Sequence, residues 1–261
     1  MAVKFFNKKV ILVVLIILAH LTFSYYYFPW FYSALSGTAI IILLAWFAWG
    51  SDYKFWLGLQ IKKEDYLIVF IVFVAFLGGS YLIVKLIAGS HNIVVTPGNY
   101  KNFVHTLFYT LNEELVIGAL LLKGIKYFSR KTPDWVISTG VAVCFSIFHF
   151  IFFKWIFKNS GNLGLITLIS LFFAGIVRNN LILKTGHIAY SLSLHFAWIY
   201  IMLGSSHYYK TSKLFLNDFE RFEMYLGDYR ILIVCLILAV LSFVVFKKLF
   251  LTNNGHPVAK G

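Results

Sequence analysis

Hydrophobic residues occur along the chain in long runs that are separated by short polar segments. Eight such runs lie near residues 10–28, 33–50, 66–88, 103–122, 135–153, 163–183, 187–204 and 231–250. About 20 apolar residues are needed for a helix that crosses a bilayer, so each run is a candidate span. The pattern predicts an all-α, polytopic membrane protein with about eight transmembrane helices in one bundle.

Composition supports this class and excludes an ordinary soluble domain. Hydrophobic residues make up 60% of the 261 residues and charged residues only 13%, against about 25% charged in soluble domains. The net charge of +13 does not indicate a nucleic-acid partner, because the 23 Lys and Arg are dispersed among short loops and span ends. We therefore expect the lipid bilayer to be the main partner of the chain.

The distribution of positive charge predicts how the chain is oriented. If the N-terminus is inside, fifteen Lys and Arg lie in the inner segments and eight in the outer ones. Inner loops of membrane proteins carry the excess of Lys and Arg. This bias predicts a multi-pass protein, placed in the cell membrane, with both termini cytoplasmic.

Four ionisable residues stand out among those that fall inside the predicted spans. Glu113 and Glu114 lie in the fourth run, His149 in the fifth and His195 in the seventh. A charged group at mid-depth costs about 2.5–3.5 kcal/mol or more, so such residues need a partner or a function. We expect them to face one polar cavity, in which at least one carboxyl group is protonated or held by hydrogen bonds. Adjacent helical residues point about 100° apart, so one glutamate is expected to do chemistry while the other holds the scaffold.

Two carboxyl groups and two imidazoles are compatible with two kinds of site. A glutamate with histidines can activate water and stabilise an oxyanion, as amide hydrolysis requires. The same residue types can also bind a divalent metal such as zinc with one coordination position left open. Residue types alone leave both possibilities open.

At these residues the sequence resembles the CPBP (ABI) family of intramembrane proteases, which includes the type II CAAX prenyl endopeptidases. The family motifs are E-E-x-x-x-R, then F-x-x-x-H, then a glycine and a Thr-Gly segment that lead to H-x-x-x-N. Here they read as Glu113-Glu114, Phe145 to His149, and the stretch from Phe172 through Gly175, Thr185 and Gly186 to His195. The motifs cover residues 103–204.

The resemblance implies membrane endopeptidase chemistry on a membrane protein or a lipidated peptide. Glu113 with His149 would activate a water molecule, and His195 would help to stabilise the oxyanion. We expect metal-independent catalysis; if a metal is bound, the ligands would be Glu113, His149 and His195. The chain would then divide into N-terminal helices (1–102), a catalytic core (103–204), and an amphipathic interfacial loop, last span and tail (205–261).

Two positions depart from the family pattern. Gly118 stands where the motif has Arg, and Ile199 stands where it has the final Asn. The polar cluster of Arg178, Asn179 and Asn180 could supply substitutes from another helix, with Arg178 pairing with Glu114. Alternatively, the cluster marks the end of a shorter span, where Arg178 reaches the interface.

These departures keep a second function open. The alternative is a weakened or inactive CPBP-like protein that binds and regulates a membrane partner. A transporter with proton-relaying carboxylates is a third possibility, although no internal repeat supports it.

Overall fold

The computed structural model describes residues 11, 13–15, 17–18, 30–156 and 163–249. Helices form most of this part of the chain. Their bounds are α1 Trp30–Trp49, α2 Tyr53–Trp56, α3 Asp65–Ser90, α4 Tyr100–Glu113, α5 Leu122–Phe128, α6 Asp134–Ile156, α7 Leu165–Thr185, α8 Ala189–Ile199, α9 Asp218–Leu226 and α10 Tyr229–Leu249. A π-helical segment, Glu114–Leu121, joins α4 to α5, and a second one, Tyr200–Gly204, continues α8.

Within the described residues, four stretches are long and apolar enough to cross a membrane. They are Tyr32–Trp56, Asp65–Ser90, Asp134–Ile151 and Leu165–Thr185, and the bent pair α9 and α10 adds a fifth if it is counted as one span. The all-α polytopic membrane fold is therefore confirmed, whereas eight helices in one bundle are not. The predicted span near 10–28 lies largely outside the described residues, as does the predicted tail beyond residue 251.

Helix α7 lies at the centre of the bundle and α3 at its lipid-facing surface. In the most apolar stretch of each helix, 61% of the residues of α7 are buried but only 11% of those of α3. Helices α6 and α10 pack against α7, and α8 packs against α3 and α4. Gly175 allows α6 to approach closely, since a Cβ atom there would lie 3.1 Å from the Phe145 ring and 3.2 Å from Ala142. Close contact at α7 places its polar residues inside the protein.

Two short strands form a feature that the hydrophobic pattern did not predict. Strand β1 (Ile93–Thr96) follows α3, strand β2 (Ser206–Tyr209) follows α8, and they pair antiparallel with Thr96 opposite Ser206. The sheet lies at one end of the helices and links two distant parts of the sequence.

The amphipathic helix expected within residues 205–230 is present as α9. Asn217 and Glu220 form a capping box at its start, in which each side chain accepts a hydrogen bond from the other residue's backbone N–H. The apolar face of α9 is buried, and the helix meets α10 at a bend of 64°. This arrangement holds α9 against the bundle at the end where the sheet lies.

Candidate active site

The two glutamates lie where α4 changes its helical geometry. Helix α4 ends at Glu113, and the π-helical segment starts at Glu114. Such segments widen the turn by one residue and occur frequently at functional sites. The two side chains differ in burial, because Glu114 is fully buried while the side chain of Glu113 is 13% exposed. This difference fits the expectation that the two carboxyl groups have separate roles, although both approach the same histidine.

Glu114 is held by two residues of α8. Its Oε1 atom lies 2.9 Å from Nδ1 of His195, and its Oε2 atom accepts a hydrogen bond of 2.7 Å from the Ser191 hydroxyl. A carboxylate in this position accepts the Nδ1 proton, which fixes the tautomer and the orientation of the imidazole. Nε2 of His195 is then the ring nitrogen directed towards Glu113.

Glu113 lies between the same histidine and an arginine. Its Oε2 atom is 4.0 Å from Nε2 of His195, and its Oε1 atom is 3.5 Å from Nη1 of Arg178. The distance to His195 exceeds that of a direct hydrogen bond and suits an intervening water molecule. Glu113, His195 and Arg178 therefore come together from α4, α8 and α7.

His149 and Phe145 flank this group from α6. Nδ1 of His149 donates to the Phe145 carbonyl at 2.9 Å, and the two rings lie 4.2 Å apart. His149 interacts electrostatically with both Glu113 and His195. Its other face stacks at 6.3 Å on Phe222 of α9. All four ionisable residues singled out in the sequence thus belong to one cluster, in which Glu114 is buried and the other three are partly buried.

The structure corrects the interpretation of Arg178. The residue is 5% exposed and lies well inside α7, so it is not at a span end that reaches the interface. Its carboxylate partner is Glu113, whereas the sequence had suggested Glu114. The reason is that the Glu114 carboxylate is turned towards α8, where His195 and Ser191 bind it.

Asn179 and Asn180 serve different contacts from those expected. Asn179 accepts a hydrogen bond of 3.4 Å from Nε of Arg178 and donates one of 2.9 Å to the Ser138 carbonyl. Asn180 donates to the Ser242 hydroxyl at 2.8 Å and so ties α7 to α10. Neither amide therefore replaces the asparagine that the motif has at Ile199.

The two motif departures have structural counterparts. A Cβ atom at Gly118 would lie 2.9 Å from Oε2 of Glu114 and 3.0 Å from Cδ1 of Ile182. The missing side chain thus leaves space for the Glu114 carboxylate. Ile199 is 8% exposed and belongs to a hydrophobic cluster, where it packs against apolar neighbours.

Ser191 is the site residue that sequence reasoning missed. It lies one turn before His195, and residues four apart on a helix share a face. That spacing was a usable signal once His195 had been singled out. A serine inside an apolar helix gives no such signal by itself, because its hydroxyl commonly bonds to the backbone of its own helix.

Glu113, His149 and His195 are the residues that would be ligands if a metal is bound. Among the residues that the structure describes, no three His, Cys, Asp or Glu side chains are arranged to hold an ion. Of the three expected ligands, His195 has Nδ1 bonded to Glu114, and Nδ1 of His149 is bonded to a backbone carbonyl. These bonds leave Nε2 of both imidazoles available, so they do not by themselves distinguish a metal-free site from one that holds an ion.

Taken together, the fold and the site define an integral membrane protein with a buried glutamate, histidine and arginine cluster among its helices. A family model described as type II CAAX prenyl endopeptidase Rce1-like matches residues 100–201, less than half of the chain. The match confirms that this segment, which carries the whole cluster except the contacts to α9 and α10, is related to the CPBP family of membrane endopeptidases. No curated protein and no solved structure matches the chain significantly.

Proposed function

We propose that the protein is an intramembrane endopeptidase that cleaves a membrane-associated or lipidated protein or peptide. The observation that carries the proposal is the gap of 4.0 Å between Oε2 of Glu113 and Nε2 of His195. The gap is bounded by one carboxylate and one imidazole, and the imidazole is oriented by Glu114. A base and a fixed histidine on either side of one water molecule are what peptide hydrolysis needs.

In the proposed reaction, the water donates one hydrogen to Glu113 and the other to Nε2 of neutral His195. Its oxygen attacks the peptide carbonyl carbon, and Glu113 takes the proton that the water loses. This assignment pairs Glu113 with His195, whereas the resemblance had implied a pair with His149. The difference follows from the orientation of His195, whose Nε2 atom faces the Glu113 carboxylate.

His149 is the group that we assign to the oxyanion. Its Nδ1 atom is bonded to the Phe145 carbonyl, so Nε2 is the nitrogen that exchanges protons with the substrate. Donation from Nε2 to the oxyanion requires the protonated, imidazolium form of His149. When the carbon–nitrogen bond breaks, Glu113 passes the proton that it took from water to the departing nitrogen, so a carboxylic acid and an amine are released and the Glu113 carboxylate is restored. No step requires a metal.

The membrane location of the substrate follows from the position of the site. The cluster is formed by helices of a membrane protein, and its glutamates are largely withdrawn from solvent. We further propose, from the distribution of Lys and Arg, that the protein lies in the cell membrane with both termini cytoplasmic.

The test compares peptide termini in cells that lack the protein and then receive either the native form or Glu113→Gln at matched expression. The substitution preserves the size of the side chain and removes its basicity. Glu64→Gln is the matched control, because Glu64 is exposed in the segment before α3. New termini in membrane and secreted proteins should appear with the native form and with Glu64→Gln but not with Glu113→Gln.

Identical termini from all three forms would overturn the proposal. If Glu113→Gln then restored the cellular phenotype as well as the native protein does, the chain would be a non-catalytic protein that binds a membrane partner. The departures at Gly118 and Ile199 would in that case mark the loss of catalysis.

A further inference from the structure

We propose that Arg178 is a positioning residue that holds the Glu113 carboxylate in its catalytic orientation from a different helix. The proposal rests on the function proposed above, in which Glu113 is the base. Its observations are the ion pair between Arg178 and Glu113, the contacts that fix the guanidinium, and the space that Gly118 leaves beside Glu114.

The ion pair is buried on both sides. Nη1 of Arg178 lies 3.5 Å from Oε1 of Glu113, and the two side chains are 5% and 13% exposed. Breaking a buried pair by removing one partner is strongly destabilising for the charge that remains. The arginine therefore helps to maintain an ionised base within an apolar bundle.

The guanidinium is fixed by groups other than Glu113. It stacks on the Phe145 ring at 4.0 Å from the ring centroid, and Asn179 accepts hydrogen bonds from its Nε and Nη2 atoms. Asn179 is itself anchored to the Ser138 carbonyl of α6. Because α6 and α7 set the position of Arg178 independently, the arginine can orient Glu113 instead of merely following it.

The ion pair with Arg178 engages one carboxylate oxygen of Glu113 and leaves the other free for catalysis. Arg178 contacts Oε1, so Oε2 is the atom that points to Nε2 of His195. Without the arginine, the carboxylate could rotate and the gap for water would lose its geometry. A lysine would be a poor replacement, because an ammonium group lacks the planar donor fork and the stacking surface.

The position one turn after Glu114, where the motif has Arg, is Gly118. A side chain one turn after Glu114 on the same helix would meet the Glu114 carboxylate, since even its Cβ atom would lie 2.9 Å from Oε2. Gly118 itself supplies no cation, and α7 provides the guanidinium from across the bundle.

The experiment follows the Glu113-dependent termini in membranes of cells that lack the protein, after addition of purified variants in proteoliposomes. Arg178→Ala should slow their formation by about 10–100-fold, the usual effect of removing an orienting partner. Millimolar guanidinium chloride should restore part of the rate, and equal ammonium chloride should not. Arg178→Lys should remain impaired.

The matched control is Arg221→Ala. Arg221 is also largely buried, at 12% side-chain exposure, but it bonds to Asp218 and to the carbonyls of Leu203 and Ser205. Loss of the Arg221 side chain should lower the thermal stability of the protein, and guanidinium should not raise the cleavage rate of Arg221→Ala. A purely structural role of Arg178 would make the two variants behave alike.

The inference is overturned if Arg178→Ala cleaves at the native rate, or if its loss parallels the loss of folded protein and no guanidinium rescue occurs. These outcomes leave the proposed function intact as long as Glu113→Gln abolishes the termini. If the native protein generates no Glu113-dependent termini, the proposed function has failed, and this inference fails with it.

Discussion

Gly118 lies so close to the Glu114 side chain that a methyl group added at Gly118 would be 2.9 Å from the Glu114 carboxylate. Atoms essentially never approach a Cβ so closely, so one of the two groups would have to move. The Glu114 carboxylate is also the group that holds His195, at 2.9 Å. The glycine is therefore linked, through one side chain, to the orientation of the proposed catalytic histidine.

Gly118→Ala should consequently lower the rate of cleavage by about tenfold or more, since loss of an orienting contact typically costs 10–100-fold. The measurement is the initial rate at which Glu113-dependent termini form. Gly124→Ala is the control, because a Cβ atom at Gly124 meets nothing within 4 Å. Equal rates for the two variants would show that the space beside Glu114 is not needed for catalysis.

Ser191→Ala removes the hydrogen bond of 2.7 Å to the second oxygen of Glu114. We expect a rate loss of about tenfold with little change in folding, because the hydroxyl positions a carboxylate that in turn positions His195. Ser193→Ala is matched to it, since the Ser193 hydroxyl bonds only to the Ala189 carbonyl of its own helix. Loss of activity in both variants, or in neither, would contradict the role of Ser191.

The hydrophobic runs predicted several helices well. The runs near 66–88 and 163–183 correspond to α3 (Asp65–Ser90) and α7 (Leu165–Thr185). Helix ends follow from local signals, such as the left-handed conformation of Gly186 with φ +76°, which terminates α7. Length and boundaries of apolar helices are thus readable from the sequence.

Contacts between helices were harder to predict. Arg178 was expected near Glu114 but pairs with Glu113, and the pairing of β1 with β2 was missed entirely. A helix that is apolar on all sides gives no pattern from which its rotation can be read. The two strands are separated by more than a hundred residues, so no local turn signal joins them. Four ionisable residues could be grouped because each is costly in a membrane, but their partners depend on packing.

Asn180 is expected to act on stability and not on catalysis. Asn180→Leu removes the hydrogen bond to Ser242 that ties α7 to α10. Hydrogen bonds between membrane helices contribute about 0.6 kcal/mol on average and up to about 1.7 kcal/mol. Thermal unfolding in detergent should therefore shift modestly downward, with cleavage retained below the transition.

Ser242→Ala provides the matched comparison, because it removes the other partner of the same bond. The double variant should be no less stable than the worse single one by more than a few tenths of a kcal/mol, since both changes break one interaction. A large loss of cleavage rate in Asn180→Leu at unchanged stability would instead indicate that Asn180 acts in catalysis.

Metal removal should leave the proposed activity in place. In the proposed reaction, Glu113 and His195 act on water without a metal, and Glu114 orients His195 through Nδ1. Protein dialysed against a strong chelator should cleave at a rate within about twofold of the untreated protein, because the base and the histidine act on water directly. A loss of activity that added zinc restores would contradict this mechanism.

His207 should make folding stability sensitive to acid at the end of the molecule where β1 and β2 pair. The side chain is 1% exposed, with Nδ1 at 2.6 Å from the Tyr225 hydroxyl and Nε2 at 3.0 Å from the Ile201 carbonyl. A carbonyl only accepts, so Nε2 carries the proton and Nδ1 accepts from Tyr225. Burial, with a smaller contribution from the charge of Arg221, lowers the pKa of His207 from 6.5 to about 4.

Because the pKa of His207 is lower in the folded state, the unfolded chain binds a proton first as the pH falls. The stabilising contribution is present above about pH 6.5 and is lost between about pH 6.5 and pH 4. Thermal unfolding of the native protein in detergent should therefore drop more steeply from pH 7.5 to pH 5 than that of His207→Gln, which cannot titrate. His91→Gln, at an exposed histidine, is the comparison variant. Parallel curves for the native protein and His207→Gln would mean that His207 does not couple protonation to folding.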